Sequence, residues 1–248
     1  MGSFKHPAWY YGYYLSELDR LLLPMVQPEP LIESTAMKTF FITLLTLCAG
    51  IAAAQTTDNW TLKQSNDGIK IYTADVANSK IKALKVECEL TATLSQVVAA
   101  VMDIKHSKRW VYRTETAYVV KKSSPSDLYY YTLVKMPFPV SNRDYIARLK
   151  VTQNPATKVV TIEVPCVTGM VPPKNGAVRV TNSAARWVLA PERAGRVKID
   201  YTLHTDPGGS IPAWLTNMFI TQAPSQTFEK LKQQTAMYKN VKLSYIKN

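Results

Sequence analysis

Glycine is scarce in this sequence, with 9 residues in 248. No G-x-G-x-x-G and no G-x-x-x-x-G-K-[ST] occurs. Both motifs need glycine where backbone approaches phosphate, so the shortage argues against a dinucleotide fold or a P-loop. Cysteine is equally sparse. Cys48, Cys88 and Cys166 cannot build a disulfide framework or a Cys-rich zinc site. Three histidines, His6, His106 and His204, leave little for a metal site. H-E-x-x-H, G-x-S-x-G and a close carboxylate pair are also missing. The sequence therefore assigns no catalytic residue, no metal ligand and no cofactor. Acidic residues are the minority, 18 against 30 basic, for a net charge of +12. The basic residues are scattered, and the longest runs are the pairs Lys108-Arg109 and Lys121-Lys122. Scatter of this kind fits a soluble basic protein better than a nucleic-acid surface. What is present suffices for a core: 46% hydrophobic and 10% aromatic residues rule out wholesale disorder.

The N-terminal part reads as an address. Met37-Lys38 is followed by an uncharged apolar stretch, Thr39 to Ala54, ending Ala52-Ala53-Ala54. A charged start, a short apolar core and an A-x-A end are the parts of a secretory signal peptide. The stretch is shorter than the roughly 20 residues of a membrane span. Residues 37–54 are thus expected to be a signal peptide cleaved after Ala54, and residues 1–36 a misassigned extension upstream of the true start. Export to the periplasm or beyond follows. The remaining domain, 55–248, carries 27 basic and 14 acidic residues, a net +13. Export permits a disulfide between Cys88 and Cys166, but Cys88 lies on the apolar side of a strand, which favours two free thiols.

Along this domain the hydrophobic period changes twice. Gly68–Thr73 alternates, as do Leu84, Val86, Cys88 and Leu90, which is the period of half-buried strands. Leu94, Val97, Val98, Val101 and Met102 then fall at helical spacing behind a Thr93–Gln96 capping box. A short second helix is expected over 105–110. Six strands follow, at about 113–122, 127–136, 143–152, 157–164, 178–189 and 196–205, separated by Pro, Gly, Asn and Ser turns. Their short connections imply an antiparallel meander. Ser210 then caps a long last helix, with a kink expected at Pro224. The expected fold class is α+β: a curved antiparallel sheet wrapped around a long C-terminal helix, with a hollow between them where a ligand would sit.

Four segments then carry a resemblance. They are Lys108-Arg109-Trp110, Met136 to Tyr145 (MPFPVSNRDY), Pro173 to Arg179 (PKNGAVR), and Asp206 to Asn217 (DPGGSIPAWLTN). In this order and spacing the chain resembles the START domain, the steroidogenic-acute-regulatory-protein-related lipid-transfer domain of the helix-grip superfamily, over roughly Trp60 to Tyr238. The resemblance implies an internal hydrophobic tunnel holding one lipid or sterol-like molecule. It also implies a gate made by the 136–142 loop and the last helix. Some eukaryotic members carry a charged pair inside the tunnel; the matching positions here are Tyr130 and Leu149, so that pair is absent.

Strand parity directs Tyr130, Thr132, Val134 and Met136 inward on one strand, Arg143, Tyr145 and Leu149 on the next, and Tyr201 on the last. Trp187 shares the apolar side of its strand with Leu189. The expected ligand-binding residues are Trp110, Tyr130, Val134, Met136, Phe138, Arg143, Tyr145, Trp187, Tyr201, Trp214 and Met218. The tyrosines could equally be core residues bonded to backbone or water. Arg143 could equally pair a carboxylate and pin its loop, and the tryptophans could simply pack. Phe138 and its proline-rich loop could touch a membrane surface during loading. The expected partners are a hydrophobic small molecule or lipid and, transiently, a membrane, but no nucleic acid. A rival reading places an enzyme, a cyclase or hydrolase of a hydrophobic substrate, on the same scaffold. A third is an interaction module without a cavity.

Overall fold

Among the described residues, ten strands and two α-helices occur. The computed structural model describes residues 59–248 except 80, 210, 213, 214, 216 and 217. The extension 1–36, the signal peptide 37–54 and Trp214 lie outside the described residues.

A tight turn at Asp67-Gly68 joins β1 (Thr61–Asn66) to β2 (Ile69–Ala74). Both turn residues have positive φ, 48° and 74°, a region where glycine carries no Cβ penalty. β3 (Ala83–Thr91) alternates buried and half-exposed residues. The chain then enters α1 (Leu94–Met102), where both bonds of the Thr93–Gln96 capping box are formed. A 3₁₀ turn over Ile104–Arg109 follows. Next come β4 (Thr114–Ser124), β5 (Asp127–Val134), β6 (Asn142–Gln153), β7 (Val160–Val167), β8 (Ala177–Arg179), β9 (Asn182–Glu192) and β10 (Arg196–Asp206). A π-helical segment, Met218–Gln222, runs into α2, Ala223–Thr235.

The sheet order is β1-β2-β3-β10-β9-β7-β6-β5-β4. Three details differ from the sequence reading. β1 was not expected, because Thr-Leu-Lys-Gln-Ser-Asn has little apolar content and is mostly exposed. The stretch 178–189 is not one strand. Its first residues form β8, which runs parallel to β6, and Val180 N–H donates to the Asp144 carbonyl at 2.8 Å before β9 begins. The sequence reading also ended the meander at its last strand, whereas β10 pairs onward with β3 and so joins the two groups of strands.

The inner face carries the core. Ile71, Val86, Ile199, Leu189, Ile162 and Leu149 lie side by side across neighbouring strands and are fully buried. Leu94, Val97 and Val98 of α1, with Phe228 and Leu231 of α2, close over them. Each such side chain removed from water contributes about 1.5–3 kcal/mol. β5 also buries its outer face: Tyr131 and Leu133 pack with Ile146 beneath Met170 and Val171. The loop after β7 folds back over this spot.

Beyond α2, the tail returns to the sheet. Ile246 is buried, Gln153 exchanges two hydrogen bonds with the Lys247 backbone at 2.7 Å, and Ser95 N–H donates to Asn248 at 2.9 Å.

Candidate functional site

The inner face is not uniform along its strands. At one end, Leu128, Leu149, Val151, Val160, Leu189 and Val197 are buried. Toward the other end, the same face presents Tyr130, Tyr145, Cys166, Ser183, Ala185, Tyr201 and Leu203, all only half-buried. Register explains the grouping. Tyr130 is opposite Ala147, Ala147 is opposite Cys166, Ala185 is opposite Leu203, and Tyr201 is opposite Trp187. Alternation therefore puts one residue from each of five adjacent strands on one patch of wall.

An aromatic cluster marks the border between the two ends. Trp187 packs against Tyr201 (ring centroids 4.6 Å) and Phe228 (5.3 Å), and meets Trp110 edge-on at 6.3 Å. Tyr130 and Tyr145 lie edge to face at 6.1 Å. Loss of water pushes all three phenols up: Tyr145 to about 12, and Tyr130 and Tyr201 well above their ordinary value. The Tyr130 and Tyr145 phenols also interact, and Tyr145 adds to the shift of Tyr201. All three thus keep their protons at neutral pH and can donate. Burial likewise raises the Cys166 thiol to about 11, with Ser183 as its neighbour. Trp110 is 4% exposed, and its indole N–H has no partner among the described residues.

The dipeptide Arg143-Asp144 sits at the rim. Alternation turns the two side chains to opposite faces, so they do not pair with each other. Arg143, 4% exposed, donates from Nε to the Pro207 carbonyl (3.1 Å), from Nη2 to the Gly208 carbonyl (2.9 Å), and from Nη1 to the Ser141 carbonyl. One guanidinium thus fastens the 136–142 loop to the segment that leads into the last helix. The pinning role holds, but through carbonyls rather than a carboxylate. Asp144, on the outer face, takes Arg179 in a two-point ion pair, 2.9 Å on each arm. Arg179 also reaches the Val171 and Pro172 carbonyls.

The remaining expected residues fall in four places. Val134 is half-buried near the rim. Met136 is buried, and its N–H donates to Asn142 at 2.9 Å, which closes the loop on itself. Phe138 stands in solvent at 95% exposure and is not on the inner wall. Met218 is half-buried in the π-helical segment. Strand parity turned Leu203 inward, but Cys166, Ser183 and Ala185 were not singled out by sequence as wall residues around a ligand. Their register in the sheet was the missing information. Cys88 and Cys166 are both free thiols. β10 and β9 stand between their strands, a gap of about 14 Å at the usual strand spacing, too wide to bridge.

The two histidines lie elsewhere. His106 Nδ1 is 2.7 Å from Asp103, which also accepts from Tyr238 at 2.6 Å. These bonds tie the 3₁₀ turn to the end of the last helix. His204 Nε2 is 3.2 Å from Ser79 Oγ and 3.3 Å from the Ile81 carbonyl. Ser79 already serves the Ile81 backbone, accepting from its N–H at 3.0 Å. Among the described residues no cluster of metal ligands occurs, and no helix is long and apolar enough to cross a membrane. Two surface grooves, one beside Lys232 and Thr235 and one beside Tyr118 and Pro172, lie away from the inner wall.

A curved antiparallel sheet closed by a C-terminal helix, with an aromatic wall inside, defines the helix-grip class. The family model "START domain" matches residues 51–242, and the chain belongs to that family. A Pseudomonas aeruginosa protein is 30% identical over 183 residues, covering 74% of this chain and 90% of that one. The bovine phosphatidylcholine transfer protein is 28% identical, covering 64% of this chain and 75% of that one. A STAR-related lipid transfer protein from Xanthomonas axonopodis superimposes with a TM-score of 0.66 at 29% identity, covering 72% of this chain and 99% of that one. The bovine and Xanthomonas proteins both carry lipid transfer in their names.

Proposed function

We propose that this protein binds one lipid-like molecule between the inner face of the sheet and the C-terminal helix, and carries it between membranes without altering it. One observation carries the reading. Tyr130, Tyr145 and Tyr201 keep accessible surface on a face whose other end is fully packed, yet desolvation dominates the behaviour of each phenol. Groups that are both desolvated and incompletely covered are those whose covering a bound apolar molecule would complete. A lipid placed there is relieved of about 25 cal/mol for each Å² of apolar surface taken from water. The family's lipid-transfer relatives support the same use. The 136–142 loop and the Pro207–Gln222 segment form the gate, and Phe138 is the contact offered to a membrane surface.

We further propose that the protein is exported, with residues 37–54 removed and Gln55 as the first mature residue. Native intact-mass analysis of the protein isolated from its own periplasmic fraction tests both readings. The expected species starts at Gln55 and carries one lipid adduct. A mass that includes Met1 rejects the export reading. A bare chain that also fails to take up any fluorescent lipid rejects the binding reading.

A further inference from the structure

The walls of the proposed chamber share a property that the rest of the protein lacks: they bear almost no charge. On the inner face of the sheet, the half-buried end presents phenols, a thiol, a hydroxyl and aliphatic groups. The gate loop, Met136 to Asn142, has no ionisable side chain. From Pro207 to Phe228 the sequence contains no Asp, Glu, Lys, Arg or His. Whichever way those side chains turn, they bring no charge to the interior. This is notable in a chain with 30 basic and 18 acidic residues.

Among the described residues, the one formal charge on this part of the inner face is Arg143. All three of its nitrogens already serve backbone carbonyls at the rim. It is occupied as a fastener, and its donors point at the loops. Leu149, fully buried beside Tyr130, stands where an internal cation could otherwise have been placed.

Polar capacity is nevertheless present, and it is uncharged. The Trp110 N–H can only donate, is buried, and lacks a partner. The phenols of Tyr130, Tyr145 and Tyr201 gather beside the aromatic cluster to which Trp110 belongs. A head group with a net or separated charge would lose its hydration here and gain no counter-charge, a severe cost in a low-dielectric interior. An uncharged oxygen acceptor, such as a hydroxyl, ketone or ester carbonyl, loses far less and finds donors waiting.

We propose that the chamber selects lipids whose polar end is uncharged and carries an oxygen acceptor, of the sterol or glyceride kind, over phospholipids. The selectivity rests on the lipid-binding reading above, but it can fail separately.

The test uses the full chain and vesicles of dioleoylphosphatidylcholine with dioleoylphosphatidylglycerol, doped with either cholesterol or dioleoylglycerol. After incubation the protein is separated from vesicles, and its bound lipid is extracted and quantified by mass spectrometry. At least one of the neutral lipids is expected on the protein at about tenfold or more above its mole fraction in the vesicle, equivalent to about 1.4 kcal/mol of preference. The isosteric variants Tyr145→Phe and Tyr201→Phe keep the ring packing and remove one donor each. With unchanged melting temperature, they are expected to lower that enrichment severalfold. Phospholipid recovered at or above its vesicle share overturns the selectivity and leaves the lipid-binding reading standing. Enrichment unchanged in both tyrosine variants overturns the role of the donors. Recovery of no lipid of any class overturns both readings.

Discussion

Asp144 has a side chain with 0% exposure, facing a guanidinium that is 14% exposed. Burial alone would raise this carboxyl, but the Arg179 guanidinium outweighs it and holds the group below its ordinary value. The folded value is lower than the unfolded one. The ion pair's contribution is therefore fully present above the unfolded value, near pH 4, and is lost as pH falls through the folded value. Asp103 and Asp127 are lowered as well. Tyr238 and His106 overcome burial at Asp103, and the Arg148 guanidinium acts on Asp127. Stability should thus decline below about pH 4. Asp144→Asn leaves Arg179 without its carboxylate and is expected to cost about 3 kcal/mol at pH 7. Urea unfolding at pH 7 and pH 3 checks both effects: the variant should show the smaller difference between the two pH values. An equal difference would mean that Asp144 is not part of the acid response.

At this scale much of the site was legible in the sequence. Two-residue alternation was enough to turn Tyr130, Tyr145 and Tyr201 to one face. It was also enough to separate Arg143 from Asp144, although the acid's partner, Arg179, ends β8, which the sequence reading had merged with β9 into one strand. Three letters of β8 carry no period, and only its pairing with β6 makes it a strand.

At the scale of elements, the helical and strand periods located α1 and most of the sheet. The exceptions have physical causes. β1 is mostly exposed, so it lacks the apolar alternation that betrays a strand. β5 is apolar on both faces because the loop after β7 covers Tyr131 and Leu133. The kink expected at Pro224 takes the form of a π-helical segment just before it, Met218–Gln222. Proline lacks the N–H of a regular turn, and a wider turn is one way for a helix to absorb that loss. The segment buries none of its residues, whereas α2 anchors itself through Phe228, Leu231, Gln234 and Thr235. Local opening should follow that difference. Amide exchange monitored by mass spectrometry is expected to be at least tenfold faster over 218–222 than over 228–235. Equal protection of both would show that the last helix opens as one rigid rod.

For the whole molecule, the net charge of +12 acts at the surface while the proposed chamber stays neutral. Attraction to anionic vesicles falls with ionic strength, because the screening length shrinks from about 10 Å at 0.1 M salt to about 3 Å at 1 M. Lipid transfer between phosphatidylglycerol-containing vesicles should therefore slow severalfold between low and high salt. Transfer between pure phosphatidylcholine vesicles should change little. A fluorescent-lipid dequenching assay reads both rates, and equal salt sensitivity would remove surface charge from the loading step. The order of sheet and helix was legible at this scale through hydrophobic period and turn residues. The pairing of β10 with β3 was not, because no local signal marks which strands meet across the middle of a sheet.

Arg143 gives the gate a threshold. Pulling the 136–142 loop away from the Pro207–Gly208 turn does not merely slide one apolar surface over another. It strips the Pro207 and Gly208 carbonyls of their donors together and leaves the guanidinium half solvated, held only to Ser141. Small fluctuations of either segment gain nothing, because the fork still grips the other. Opening of the proposed gate is then expected as a rare, complete event that leaves a hydrophobic passenger either enclosed or free to leave, with no long-lived leaky state between.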